Sequence, residues 1–201
     1  YQEGGAATRG AATPGKVAER FKPLPVPKLG PEERIPLRGV RKTIAHHLQM
    51  SKYYAPHFTY VEEVDVTGLV SLREGRKDDA QKRGIKLTYL AYIVKALIPA
   101  LKEFPSLNAS LDETTQEIVL KKYFNIGVAV ATEDGLIVPV IKDVDQKSLY
   151  DVATDIVRLA EAVKNHKAKA DELKGSSFTV TSIGSIGGVF AKNRLNVLGD
   201  V

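Results

Sequence analysis

DGLIVPVIKD at residues 134–143 and SFTVTSIGSIGGVFA at residues 177–191 decide how this chain reads. The first follows Glu133, and Glu133-Asp134-Gly135 holds the Asp-Gly pair that suits a tight hairpin. Leu136–Ile141 then runs apolar without a break, the pattern of a strand buried on both faces. Pro139 inside it lacks an N–H and marks an edge or a bulge. The second segment starts a strand at Phe178 and Val180 and passes into the glycine-rich stretch Gly184–Gly188. Thr181 and Ser182 stand where that strand gives way to loop. A hydroxyl there is either structural or a donor to a developing oxyanion.

Upstream, residues 123–131 predict a longer strand, with Ile126, Val128 and Val130 on one face. Gly127, Ala129 and Ala131 line the other, where a neighbour or ligand can approach closely. Ile118–Leu120 reads as a short strand. Thr88 is placed to cap a helix running to Phe104. That helix is apolar nearly all round and therefore expected to be buried, and Pro99 should kink or break it. Thr67 is placed to cap an exposed helix ending near Gly84. Phe58, Tyr60, Val64 and Val66 alternate as a strand, with Glu62 interrupting. A first helix starts near Leu37, with Val40, Ile44, Leu48 and Ser51 on one face and Pro56 as its stop. Ser148 and Asp151 form a capping-box pair for a fourth helix carrying Val152, Ile156, Leu159 and Val163. The sum is mixed α/β with hairpins, without the regular alternation of a doubly wound sheet.

Residues 1–33 are rich in Gly, Ala and Pro, with Pro23, Pro25 and Pro27 favouring an extended, semi-rigid conformation. They read as an inter-domain linker, with one domain over residues 34–201. The chain begins at Tyr1, so it is expected to be a fragment. The net charge of +5 is concentrated. Residues 1–42 hold nine Lys/Arg and four acids, and the remaining 159 residues hold twenty of each sign. A folded nucleic-acid binder would carry its positive patch on the domain itself, although a basic arm remains an alternative. Cysteine is absent, which excludes disulfides, thiolate metal sites and a cysteine nucleophile. No apolar run approaches a membrane span, and no signal peptide is recognisable.

The four histidines give no metal spacing. His46 and His47 lie mid-helix among polar neighbours, and His166 lies in the basic run NHKAK. His57 follows Pro56 at a turn that can face a cleft. Gly184-Ser-Ile-Gly-Gly188 lacks the Lys-Ser/Thr ending of a P-loop and fits a tight turn better. Arg38, Arg41 and Lys42 make a basic start to the first helix. That is a solvated face, or a purchase for a phosphate-bearing cofactor.

Six ordered stretches carry a resemblance: RIPLRGVRKTIA, SKYYAPHFTYVEEVDVT, GIKLTYLAYIVKAL, KEFPSLNASLDE, YFNIGVAVATEDGLIVPVIKD and SSFTVTSIGSIGG. From about Arg34 to Ala191 the chain resembles the catalytic domain of dihydrolipoyl acyltransferases, the core subunits of 2-oxoacid dehydrogenase complexes. The resemblance implies a chloramphenicol-acetyltransferase-like fold, a mixed sheet flanked by helices. It implies trimers that build a larger hollow core. It implies acyl transfer between dihydrolipoamide and coenzyme A, with the lipoyl group on upstream domains. The implied partners are those lipoyl domains, a 2-oxoacid decarboxylase and a dihydrolipoyl dehydrogenase. The implied location is the cytoplasm, or the mitochondrial matrix in a eukaryote. No nucleic acid or membrane partner is expected.

Residue by residue, the resemblance makes Thr181 the oxyanion-stabilising hydroxyl. It puts Ser182 and Ile183 along the coenzyme channel, Arg38 and Ser51 in the helix that approaches coenzyme A, and Ser110, Asp112, Gly135 and Leu136 near the channel. The run GGVFAK looks more like the branched-chain type. The family's base histidine stands in an H-x-x-x-D-G motif, which these 201 residues lack. After Ala191 the text KNRLNVLGDV departs from the family's pattern. The fold is therefore expected to be incomplete at its C-terminus and the chain inactive. A catalytically incomplete assembly scaffold of the same family is the alternative.

Overall fold

The computed structural model describes residues 25–183. Most of the 1–33 segment, the loop Gly184–Gly188, GGVFAK and KNRLNVLGDV lie outside that range. The chain divides into two units, Tyr1–Pro36 and Leu37–Val201. In the first, residues 25–36 hold no helix or strand, and Glu32 accepts hydrogen bonds from the Leu29 N–H and the Arg34 guanidinium.

Among the described residues of the second unit, four α-helices and seven short strands alternate irregularly. Helix α1 spans Gly39–Tyr54, α2 Thr67–Lys82, α3 Tyr89–Glu103 and α4 Leu149–Lys164. Strands β1 (Ala109–Asp112) and β2 (Glu117–Leu120) form an antiparallel pair. Strand β3 (Ile126–Val128) lies between β6 (Val140–Ile141), antiparallel, and β7 (Phe178–Val180), parallel. Strands β4 (Val130–Thr132) and β5 (Gly135–Ile137) close the hairpin expected at Glu133–Gly135.

Helices α3 and α4 pack on each other, and α4 also covers β4 and β6. Val94, Ile98 and Leu101 of α3 meet Val152, Ala153 and Leu159 of α4 and Ile126, Val128 and Ile141 of the sheet in one buried cluster. The capping box forms as read. Ser148 Oγ accepts from the Asp151 N–H, and the Asp151 carboxylate accepts from the Ser148 N–H at 3.0 Å. Lys147 and Arg158 both pair with Asp155, and Arg158 reaches Glu172 just upstream of β7.

Several expectations are corrected. The single strand 123–131 is two strands in two sheets, divided at Ala129. Leu136–Ile141 is also divided, at Val138–Pro139. Proline cannot donate to a ladder, and its carbonyl instead accepts from the Val128 N–H at 2.9 Å. Leu136 is exposed, so that segment is not buried throughout. Residues 56–66 form no strand. Phe58, Tyr60, Val61 and Val64 are exposed there, because alternation supplies a face but only a partner strand supplies the ladder. Thr67 is the first residue of α2 and not its cap. Asp65 accepts from both its N–H (2.8 Å) and its hydroxyl (2.6 Å), and those bonds hold the Asp65 carboxyl below its usual range. Helix α3 runs through Pro99 unbroken, and Ile93 is exposed, so it is not buried all round.

Gly127 is where backbone approach is tightest. A Cβ there would lie 2.8 Å from Val138 Cγ1 and 3.1 Å from Thr179 Oγ1. Gly127→Ala should therefore destabilise the fold by about 1–3 kcal/mol through overpacking. Urea unfolding measures this, and an unchanged midpoint would contradict the packing described.

Ser148→Ala should cost roughly 1 kcal/mol, the usual worth of such a cap. Its partner Asp151 has a carboxyl pKa lowered from 3.8, first by the Ser148 hydroxyl and then by the Ser148 N–H. A lowered folded pKa gives stability that is complete above the unfolded value and lost as pH falls through the folded one. Thermal melts taken downward from neutral pH should show an acid loss in the wild type that is smaller in Asp151→Ala. Parallel acid limbs would refute this contribution.

Candidate active site

The sequence points to nine site residues, and the structure distributes them over five places. Arg38 sits in extended conformation immediately before α1, exposed, with Arg41 and Lys42 one turn on. These cations suit an anionic ligand at that end of the helix. Ser51 lies in the last turn of α1 and is buried. Its hydroxyl faces His57 Nε2 at 3.4 Å, while His57 Nδ1 lies 2.6 Å from the Ala55 carbonyl. A carbonyl only accepts, so Nδ1 carries the proton and Nε2 is left to accept from Ser51. His57 thus ties the end of α1 to the chain that follows it.

Gly135 begins β5 at φ 143, a conformation open to glycine. A Cβ at Gly135 would lie 3.3 Å from Ile44 Cδ1 and 3.7 Å from Val40 Cγ1. The hairpin thus rests on the apolar face of α1, and the structure joins two regions that the sequence leaves separate. Leu136, next to Gly135, is exposed. Thr132 Oγ1 donates to the Gly135 carbonyl at 2.7 Å and stiffens the turn.

Thr181 follows β7 directly and is half-buried; Ser182 and Ile183 beyond it are exposed. The Val180 carbonyl accepts from the Ala129 N–H at 3.0 Å. Thr181 therefore emerges at the division between β3 and β4, near the base of the hairpin that carries Gly135. Ser110 and Asp112 lie elsewhere, in the separate β1–β2 sheet. Asp112 accepts from the Thr114 and Thr115 N–H groups at 2.9 and 3.3 Å, and these bonds lower its pKa. Its carboxylate is engaged in its own turn and repels phosphate.

Asn125 was not singled out from the sequence. Its amide joins three segments. Nδ2 donates to the Gly175 carbonyl at 2.9 Å, and Oδ1 accepts from the Asp143 N–H at 2.9 Å. Its main chain bonds to Ser177. A polar residue directly before a buried apolar strand was the available signal.

His46 is exposed, with its ring 5.8 Å from that of His47. His166 adopts a left-handed conformation, with Nδ1 3.7 Å from Asp134. No group of three or more acidic, His or Cys residues able to hold a metal occurs among the described residues. No helix among them is long and apolar enough to cross a membrane.

The family described as 2-oxoacid dehydrogenases acyltransferase (catalytic domain) matches residues 29–198. The dihydrolipoyllysine-residue acetyltransferase component of the Bacillus subtilis (strain 168) pyruvate dehydrogenase complex is 51% identical over 158 residues, 79% of this chain and 36% of that protein. The solved structure of Azotobacter vinelandii dihydrolipoamide acetyltransferase superposes with a TM-score of 0.81 at 40% identity. The match covers 86% of this chain and 73% of that one; the same values hold for a structure of the cubic core of the pyruvate dehydrogenase multienzyme complex. The acyltransferase fold expected from the resemblance is therefore present. The chain spans less than half the length of the curated relatives it matches. These relatives are acetyltransferases, whereas GGVFAK pointed to the branched-chain type. With the family match extending over most of its length, this chain belongs to the acyltransferase catalytic-domain family of the 2-oxoacid dehydrogenases.

Proposed function

We propose that the chain is the catalytic portion of a core acyltransferase that moves an acyl group, acetyl by analogy with its relatives, between dihydrolipoamide and coenzyme A. The observation that carries this reading is the family match over residues 29–198, joined to the hydroxyl of Thr181 at the end of β7. Both nucleophiles are thiols with a free pKa of about 8.5, so each needs a base at neutral pH. The thiolate attacks the thioester carbonyl, and Thr181 donates to the resulting oxyanion. A serine, a histidine and an asparagine are the groups whose catalytic role was investigated in the Azotobacter protein. Thr181 offers the same functional group as that serine.

Coenzyme A is the second substrate, and its phosphates suit Arg38, Arg41 and Lys42 at the start of α1. Leu136, Ser182 and Ile183, all exposed, are the channel contacts we favour, with Gly135 leaving room beside them. Ser51 contributes by holding His57, and Ser110 and Asp112 are the weakest members of the set. Residues 1–33 act as a linker to domains that carry the lipoyl group. Self-association into a core, with the decarboxylase and dihydrolipoyl dehydrogenase as further components, fits the cubic core among the structural matches. A cytoplasmic location fits the bacterial relatives.

These 201 residues hold no H-x-x-x-D-G histidine, and His57 has both ring nitrogens engaged. The chain by itself is therefore incomplete as a catalyst. A scaffold role is the second reading, favoured by the exposed Phe58, Tyr60, Val64, Leu111 and Ile118.

The chain alone should transfer no acetyl group from acetyl-CoA to dihydrolipoamide. Joined to the segment that follows the matched region in the Bacillus subtilis relative, it should gain activity. In that fusion Thr181→Ala should lower kcat by about 10²–10³, the worth of an oxyanion donor. Arg38→Ala should chiefly raise the KM for coenzyme A. Full turnover by the chain alone would place a base within it. A soluble, folded fusion without activity would sink the acyltransferase reading.

A further inference from the structure

We infer that Asn125 is a positioning residue for the Thr181 hydroxyl, an inference that rests on the oxyanion reading above. Strand β7 is three residues long and, among the described residues, pairs with β3 on one side only. A strand of three residues has few ladder bonds to hold its register. A slip of one residue would turn its side chains to the opposite face. Thr181 follows that strand directly, so the register of β7 decides where its hydroxyl points.

Asn125 fixes that register at the strand's start. Its Nδ2 holds the Gly175 carbonyl, and its main-chain carbonyl accepts from the Ser177 N–H at 2.7 Å. Ser177 Oγ accepts in turn from the Asn125 N–H at 3.1 Å. Lys142 Nζ donates to the Lys174 carbonyl, so the approach to β7 is also held from the β6 side. Gly175, at φ 72, makes the bend that brings Ser177 beside Asn125. From there the parallel pairs run Ile126 with Phe178, Gly127 with Thr179 and Val128 with Val180. The run ends at the Ala129 N–H bond to Val180, about 13 Å from the Asn125 clamp at roughly 3.3 Å per residue. The other half of the amide, Oδ1, holds the Asp143 N–H beside β6.

That division makes the test selective. Asn125→Asp keeps the acceptor for Asp143 and removes the donor to Gly175. In the full 201-residue chain, amide exchange at Ala129 should quicken by tenfold or more, because its acceptor is on β7. Exchange at Val128, whose acceptor is Pro139, should stay within about twofold. Ser177→Ala, which keeps its main-chain bond to Asn125, should give a smaller change in the same direction. In the native full-length protein, Asn125→Asp should lower kcat for acyl transfer about tenfold with the KM for coenzyme A unchanged. Added to Thr181→Ala, it should cost nothing further, since it acts through that hydroxyl. Unchanged exchange at Ala129, or losses that multiply in the double variant, would overturn the positioning role. If exchange responds as stated while Thr181→Ala leaves kcat intact, the oxyanion reading fails, and Asn125 sets only a strand register.

Discussion

The described fold depends on hydrogen bonding along both edges of a three-residue strand. Ile126–Val128 pairs with β6 on one side and β7 on the other, and all three residues are buried. A central strand this short tolerates little. Gly127 is there because Val138 and Thr179 occupy the space a side chain would need. The parallel pairing also needs a long crossover, and α4 supplies it. The Ser148–Asp151 box starts that helix, its buried face packs on α3 and the sheet, and Arg158 holds Glu172 just before β7 returns. A local cap is thus connected, step by step, to the place where Thr181 emerges.

What the sequence revealed was mostly what neighbours in the chain decide. The Ser148 box, the turn at Glu133–Gly135 and the close approach at Gly127 each follow from residue type and short spacing, and each is present. The errors arise where a distant partner decides. Phe58, Tyr60, Val64 and Val66 have the alternation of a strand but remain exposed and unladdered among the described residues. Apolar runs at 123–131 and 136–141 looked continuous. Their division at Ala129 and at Pro139 reflects which carbonyls and N–H groups face which neighbour, and hydrophobicity carries no such information. Thr67 differs for a smaller reason: the helix starts at Thr67 itself, and the Asp65 carboxylate two residues earlier engages both its N–H and its hydroxyl.

The candidate site was legible as a set of residues and much less as an arrangement. Nothing in the spacing of Val40 and Ile44 shows that Gly135 rests on them. Ser51 has the chemistry of a ligand-binding hydroxyl, yet it is buried and turned to His57. Asp112 looks free to bind, yet its oxygens serve the turn after β1. Asn125 passed unnoticed because an asparagine before a strand is unremarkable until all three of its partners are in view.

The two halves of the proposed chemistry make different demands, and this explains why one can be read here and the other cannot. An oxyanion donor need only be a neutral hydroxyl held in one place, and main-chain register can hold it. A base needs an open lone pair, a partner fixing its other nitrogen, and a pKa near the working pH. His57 has the fixing partner in the Ala55 carbonyl, but its remaining nitrogen already accepts from Ser51. His46 and His166 are exposed, and His166 touches only the turn of the hairpin, with Nδ1 3.7 Å from Asp134. No histidine lies on β3, β6 or β7, so the sheet that leads to Thr181 is built without one.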